Sequence, residues 1–400
     1  MQPAIGSAAY VGGRCLPWFV RCLRKGRRAG GRLDTILAGL GALALAVAGL
    51  VPQAAAAPSS AAAPSLGVWL TTVDSPVLHH PDQALQASRW LAEQGFRRVG
   101  VPLYTDGQLL WNVPADRNRL GIPRSTATLA DPDLRQLLLD LRHRGLQTVG
   151  WLEYGLMAPQ AAPWLRGRER LLLQDRQGRS QWQEFGGDRR VWLNPIAPEV
   201  RHLLVDLVVE ACTRLPVDLI QLDDHFAWPV ELGYDPLTLD SWRRSRWGRL
   251  DPTPSPDAPA WVSWRSDRLT ALLAQIRAAM TERCPGVRLS LSPQPQPISS
   301  QLFLADWPHW VRRRLVDELV VQLYRDRPTD LDEALGDPSL QEASARVPLR
   351  IALLAGLRTQ PKTSPILKRE LVLVRARGYG GIDLFFYETV RDKSEAWASP

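Results

Sequence analysis

The segment VDLIQLDDHFAWPVELGYD, residues 217–235, runs from apolar residues into two adjacent carboxylates, Asp223 and Asp224, followed by His225. Neighbouring carboxylates at the end of a buried strand repel each other and lose hydration, so a purely structural role would require a partner for each. A chemical role turns the same cost to use. Close carboxyls in a partly buried site split their pKa values, which supplies a protonated and an ionised group near neutral pH, as hydrolysis of a glycosidic bond requires. Successive side chains of an extended strand point to opposite sides, so one aspartate is expected to face the substrate and the other to organise a neighbour. Glu153, in WLEYG, is a further acid at the end of an apolar run. The expected catalytic set is therefore Asp223, Asp224 and Glu153, with Asp224 or Glu153 as general acid. His225 reads as an orienting partner.

A metal reading draws on overlapping residues. Asp74, His79, His80, Asp223, Asp224 and His225 could converge as mixed nitrogen and oxygen ligands, which a metal-dependent polysaccharide deacetylase would use. His79 and His80, however, precede Pro81 at a helix start, which is a common exposed setting. Neither a metal nor another cofactor is expected.

The elements that must position these groups recur along the chain. Apolar, β-branched or aromatic runs start at 67, 98, 148, 219, 288, 318, 350 and 381. They are near-continuous rather than alternating, as strands covered on both faces should be. Helical patterns lie between them: Pro81–Asp82 opens one that closes at Gly95, Asp131–Pro132 one that closes at Gly145, and Ser364–Pro365 one that closes at Gly378. Four of the seven spacings are 30 to 32 residues, one strand and its crossover helix, while the spacings after the second, third and fourth runs are 50, 71 and 69. Eight such units predict an α/β fold, a (β/α)8 TIM barrel over 67–390 with long loops after strands two, three and four. An open doubly wound sheet is the other arrangement, but no Gly-rich phosphate turn follows the first run.

In a barrel of this kind the active site lies at the C-terminal ends of the strands. There the sequence puts Asp74, Tyr104, Glu153, Asp223, Asp224, His225, Gln322, Tyr324 and Glu388, and close to them Trp69, Trp151, Asn194, Trp228 and Tyr387. All those beyond the catalytic set are substrate-binding candidates. The three long loops also carry Trp111, Trp164, Trp182, Trp192, Trp228, Trp242, Trp247, Trp261 and Trp264. Tryptophan faces stack on sugar C–H faces while carboxylates and amides bind hydroxyls, so a tryptophan-rimmed opening is expected. More than half of these rings are expected to anchor loops instead.

Residues 1–56 differ from the rest. Arg14, Arg21, Arg24, Lys25, Arg27, Arg28 and Arg32 precede the apolar run TILAGLGALALAVAGLV, and small residues follow, with an A-x-A site at Ala54–Ala56. That order predicts a secretory signal peptide, the alternative being an uncleaved anchor. A linker (57–66) and a tail (391–400) flank the barrel. With seven basic residues and one acidic, the leader holds +6 of the chain's +8, which leaves +2 for 57–400. No basic run is read in the remainder as a nucleic-acid surface. The expected location is periplasm, cell envelope or extracellular space, with peripheral or no membrane association. Cys212 and Cys284 fall in helical patterns and are expected as buried thiols rather than a disulfide.

GVWLTTVDS, WLEYGLMAP, RRVWLNPIAPEVR, VDLIQLDDHFAWPVELGYD, LSLSPQP and LVVQLYRD resemble, in the same order over residues 66–390, the signatures of the bacterial family 10 glycosylhydrolase-like proteins, also called glycosyl-hydrolase-like lipoproteins. The resemblance implies an exported glycosidase-like barrel acting on a polysaccharide, with cell-wall glycan strands as the substrate. It does not extend to a xylanase, since the seventh run, RIALLAGL, ends without a carboxylate, and no lipobox cysteine follows the leader. The fourth strand also resembles the acidic strand of chitinase-type barrels, in which a substrate acetamide is the nucleophile. On that likeness Asp218 and Asp223 take acidic positions, Gln221 replaces another, His225 stands where the acid would be, and Tyr324 matches the tyrosine that supports the acetamide. Asp223 is then nucleophile or acetamide orienter. A non-catalytic carbohydrate-binding barrel is the remaining alternative.

Overall fold

The structure is a computed structural model, described here for residues 65–183, 189–357 and 360–396. The leader falls outside the described residues, as does the linker up to residue 64. Eight parallel strands form the core: β1 (Ser65–Trp69), β2 (Arg98–Thr105), β3 (Gln147–Leu152), β4 (Leu219–Asp223), β5 (Arg288–Ser292), β6 (Glu318–Gln322), β7 (Leu349–Leu354) and β8 (Gly381–Phe385). Each pairs with its neighbours in sequence, and β1 pairs with both β2 and β8, so the sheet closes into a barrel. All eight starts lie within two residues of the sequence reading, because buried strands bounded by Gly, Pro and Asp are legible from composition alone.

Helices cover the outside. Those that position the site or its loops are α1 (Pro81–Glu93), α2 (Asp131–His143), α3 (Pro198–Arg214), α4 (Pro259–Arg283) and α5 (Ser364–Ala376). Each has Pro at its first or second position, where the missing N–H costs no hydrogen bond. Shorter helices follow β5, β6 and β8. The three long excursions follow β2, β3 and β4, as the spacings predict. The excursion after β3 builds its own small antiparallel sheet from Met157–Pro159, Trp182–Gln183 and Arg189–Trp192.

Cys212, in the last turn of α3, and Cys284, which ends α4, form a disulfide, correcting the expectation of two thiols. Their Cα atoms are 6.1 Å apart although 72 residues separate them in sequence. Adjacent placement of the two helix ends is decided by barrel closure and is invisible in the spacing.

The barrel interior is polar and charged at its floor. Arg98 of β2 reaches Glu318 of β6 at 2.7 Å and Asp383 of β8 at 3.1 Å, and Arg350 of β7 reaches Asp383 at 2.5 Å. Two cations and two anions are neutral in sum, and each is at least nine-tenths buried, so the arrangement avoids an isolated buried charge. Gly381 and Gly67 make the room: a Cβ at Gly381 would stand 1.9 Å from the Arg350 guanidinium, and one at Gly67 2.0 Å from the Asp383 carboxylate. Above this floor a chain of bonds climbs toward the mouth. The Ser290 hydroxyl donates to Glu318 (2.8 Å), the Gln221 amide donates to Ser290 (3.0 Å), and the Trp69 indole donates to Gln221 (2.9 Å). Trp69, Trp151, Val320, Ala352, Leu354, Tyr324 and Phe385 then fill the upper interior as one apolar cluster.

Candidate active site

Asp223 closes β4 and is 1% exposed. Its Oδ1 accepts from the Gln322 amide of β6 at 2.7 Å, and the same amide nitrogen donates to the Ser292 carbonyl at 3.0 Å. Burial pushes the Asp223 carboxyl well above the usual carboxylate range, and the nearby charges of Asp224 and Glu153 push it further. The Trp151 indole nitrogen is buried without a hydrogen-bond partner among the described residues, yet is close enough to Asp223 to temper that shift.

Asp224 begins the turn beyond the strand. Its Oδ2 accepts from the Gln294 amide at 2.6 Å, and its Oδ1 stands 3.8 Å from His225 Nδ1. Among the described residues, Asp224 Oδ1 and Gln322 Oε1 are buried acceptors without a hydrogen-bond donor, and Asp223 Oδ2 has only the loosely placed Trp151 indole and Asp224 backbone N–H beside it. Buried acceptors normally have partners, so under-satisfied ones gathered at the end of β4 and β6 mark a place where a donor from outside the fold belongs.

Glu153 follows β3 and reaches the same mouth. Its carboxylate accepts from the Thr105 hydroxyl of β2, while its backbone carbonyl accepts from His225 Nδ1 at 2.8 Å. Because a carbonyl only accepts, that bond fixes the proton on Nδ1. The His225 ring is further held between Tyr154 and Trp192, with centroids at 5.9 and 6.1 Å. Asp74, on the turn after β1 at φ 54°, lines a small cavity with Glu153, Thr71, Val73, Leu357, Phe385 and Phe386. Tyr324 lies in the upper interior, its phenol pushed well above its ordinary range by burial and then by Asp223 and Asp224.

Other candidates serve the scaffold, each for a visible reason. Trp69 is sealed inside the barrel by Gln221 and cannot offer a face to a sugar. Tyr104 is fully buried against Tyr154, and burial raises its phenol far above the usual range. Asn194 spends its amide on Asp235 and Thr238, both at 2.9 Å, and so ties the excursion after β3 to that after β4. Trp228 is buried with its indole donating to the Leu232 carbonyl at 2.9 Å. Tyr387 packs edge-on against Trp90 of α1, and Glu388 accepts from Ser75 at 2.6 Å, bracing the loop after β1. Asp218, carried over from the chitinase likeness, bonds the Thr148 backbone at 2.8 Å where β3 and β4 begin, at the opposite end of the barrel from the mouth. His79, from the metal set, has its ring nitrogens against the Ala127 and Thr72 carbonyls.

The tryptophan-rimmed opening is also corrected. Trp111, Trp164, Trp192, Trp228, Trp242, Trp261 and Trp264 are buried, and Trp261 stacks on Trp264 at 5.4 Å beneath Trp242. They anchor loops, as expected of the majority, and the mouth is built mainly of carboxylates and amides. Two contributors were missed: Gln294, two residues past β5 in LSLSPQP, and Thr105, at the end of β2. A polar residue just beyond a strand end was the available signal.

Residues 65–372 match the family described as glycosyl hydrolase-like 10. The chain belongs to that family. A curated relative, the glycosyl hydrolase DigH of Escherichia coli strain K12, is 25% identical over 320 residues, covering 69% of each chain. Among solved structures, the glycoside hydrolase domain of PgaB (BpsB) from Bordetella bronchiseptica superposes with a TM-score of 0.63 at 14% identity, over 84% of this chain and 97% of that one. The catalytic domain of a β-amylase from Paenibacillus polymyxa gives 0.57 at 11% identity, over 82% and 93%. At such identities the structural likeness establishes the fold, a TIM barrel shared with glycoside hydrolases. Family membership joins that fold to carbohydrate as the class of substrate.

Proposed function

We propose that this member of the family is an exported glycoside hydrolase that cuts a polysaccharide, with cell-wall glycan (peptidoglycan-type) strands as substrate, by carboxylate acid/base chemistry. The observation that carries the reading is the meeting of Asp223, Asp224 and Glu153 from two adjacent strands at one barrel mouth, with under-satisfied acceptor oxygens on both aspartates. Asp224 at the rim, with Glu153 beside it, protonates the glycosidic oxygen. Asp223, whose pKa is raised by burial and by its acidic neighbours, orients the substrate acetamide, whose oxygen attacks the anomeric carbon as the glycosidic bond breaks, and water then opens the cyclic intermediate. A general acid or base so placed contributes about 10²–10⁴-fold to rate. The disulfide supports export, since such bonds persist in oxidising compartments. No helix among the described residues is long and apolar enough to cross a membrane.

The test is to incubate the purified chain and its Asp223→Asn, Asp224→Asn and Glu153→Gln variants with peptide-free cell-wall strands and with common β-glucans, and to weigh the products. Cleavage of the cell-wall strands, reduced at least 100-fold in the aspartate variants, is expected. Undiminished cleavage by both aspartate variants would overturn the assignment, and binding without turnover by the unaltered chain would make the barrel a carbohydrate-binding module.

A further inference from the structure

The sequence reading finds no basic run outside the leader, yet the turn that ends the excursion's first helix gathers one. Arg243, Arg244, Arg246 and Arg249 are all exposed on ten residues, 241–250, together with Trp247 (45% exposed) and Leu250 (79%). The other tryptophans of the long excursions are buried or half-buried, so Trp247 stands out as a large ring left in solvent. The Arg246 guanidinium lies over its face, 4.3 Å from the ring centre. Arg243 pairs with Asp240 at 3.7 Å, but Arg244, Arg246 and Arg249 have no carboxylate partner among the described residues. With only +2 to distribute over residues 57–400, three uncompensated arginines around one exposed ring are a local excess, not a general surface property.

We propose that residues 241–250 form a binding platform for a carboxylate-bearing polysaccharide, separate from the catalytic mouth. Guanidinium groups bind carboxylates through paired N–H donors, and the part of the Trp247 indole left in solvent beside Arg246 takes the apolar side of a sugar ring. The excursion carrying the platform leaves the C-terminal end of β4, where Asp223 and Asp224 stand, so platform and mouth belong to the same end of the barrel. An acidic mouth repels an anionic strand; a cationic platform on the same end offsets that repulsion and holds the strand near by. The inference extends the proposed hydrolase reading by naming the substrate's charge, but binding at the platform does not depend on turnover.

The test measures affinity of the full chain for polygalacturonate and for the same polymer with its carboxyls reduced to alcohols, at low and high salt. Binding to the carboxylated form that weakens with salt, and little binding to the reduced form, is expected. Arg244→Gln/Arg246→Gln/Arg249→Gln should weaken it by about tenfold, and Trp247→Ala by roughly fivefold, with unchanged thermal midpoints because every altered side chain is exposed. Equal binding of both polymer forms, full affinity in the triple variant, or capture by phosphatidylglycerol vesicles but not by polygalacturonate would each overturn the proposal. An Asp223→Asn chain that is inactive on cell-wall strands and still binds polygalacturonate leaves the platform standing, and failure to bind in a chain that cleaves removes the platform alone.

Discussion

Replacing Asp223 by Asn should cost activity and add stability, with the second effect depending on pH. Oxygens of Asp223 and Asp224 lie within 4.8 Å of one another. At an effective dielectric of about 20, two unit charges at that separation repel by roughly 3 kcal/mol. The repulsion exists only where both carboxyls are ionised. Burial, Asp224 and Glu153 raise the folded-state pKa of Asp223 above its unfolded value, so its contribution to stability is fully present below the unfolded pKa and is lost as pH rises through the folded one. The wild-type barrel therefore loses stability on the alkaline side of that titration, whereas Asn, still able to accept from the Gln322 amide, does not. For a barrel of roughly 330 residues, unfolding entropy near 2.1 cal/mol/K per residue converts about 3 kcal/mol into about 4 °C. Thermal unfolding of both proteins at pH 4 and pH 8 should show near-equal midpoints in acid and a variant more stable by up to about that amount in base, with at least 100-fold slower glycan cleavage. A variant that follows the wild-type pH dependence, or is less stable at pH 8, would refute the account of Asp223 as a buried acid strained by its neighbours.

Two further outcomes follow from the scaffold. Removing the disulfide by Cys212→Ala/Cys284→Ala frees a loop spanning 72 residues of sequence, which on the chain-entropy view costs about 4 kcal/mol; calorimetry of the double variant and thiol titration of the unreduced full chain check it, and four titratable thiols, rather than those of Cys15 and Cys22 alone, would contradict the bond. Arg98→Met leaves Glu318 without its ion-pair partner and Asp383 paired with Arg350 alone at the barrel floor, so denaturant unfolding should show a loss of about 3–5 kcal/mol, which a second change, Glu318→Gln, should partly restore.

Composition and spacing alone determined the barrel. Continuous apolar runs, Pro at helix starts and Gly beyond helix ends are local signals, and the 30-residue repeat admits few closed arrangements, so eight strands, three excursions and the location of Asp223, Asp224 and Glu153 at strand ends were all legible. Which residue at a strand end faces the mouth was not, because that depends on strand tilt and on what the neighbouring strand presents. Thus Gln322 and Gln294 hold the aspartates from β6 and beyond β5, while Asn194 and Trp228, equally suggestive in sequence, are consumed by the loops they fasten. Pairing of Cys212 with Cys284, and of Arg98 with Glu318 and Asp383 across the barrel, required closure to bring distant segments together. The raised pKa of Asp223 is likewise a tertiary property: an aspartate's type fixes its chemistry, but only burial and the nearness of two other carboxylates push its titration upward.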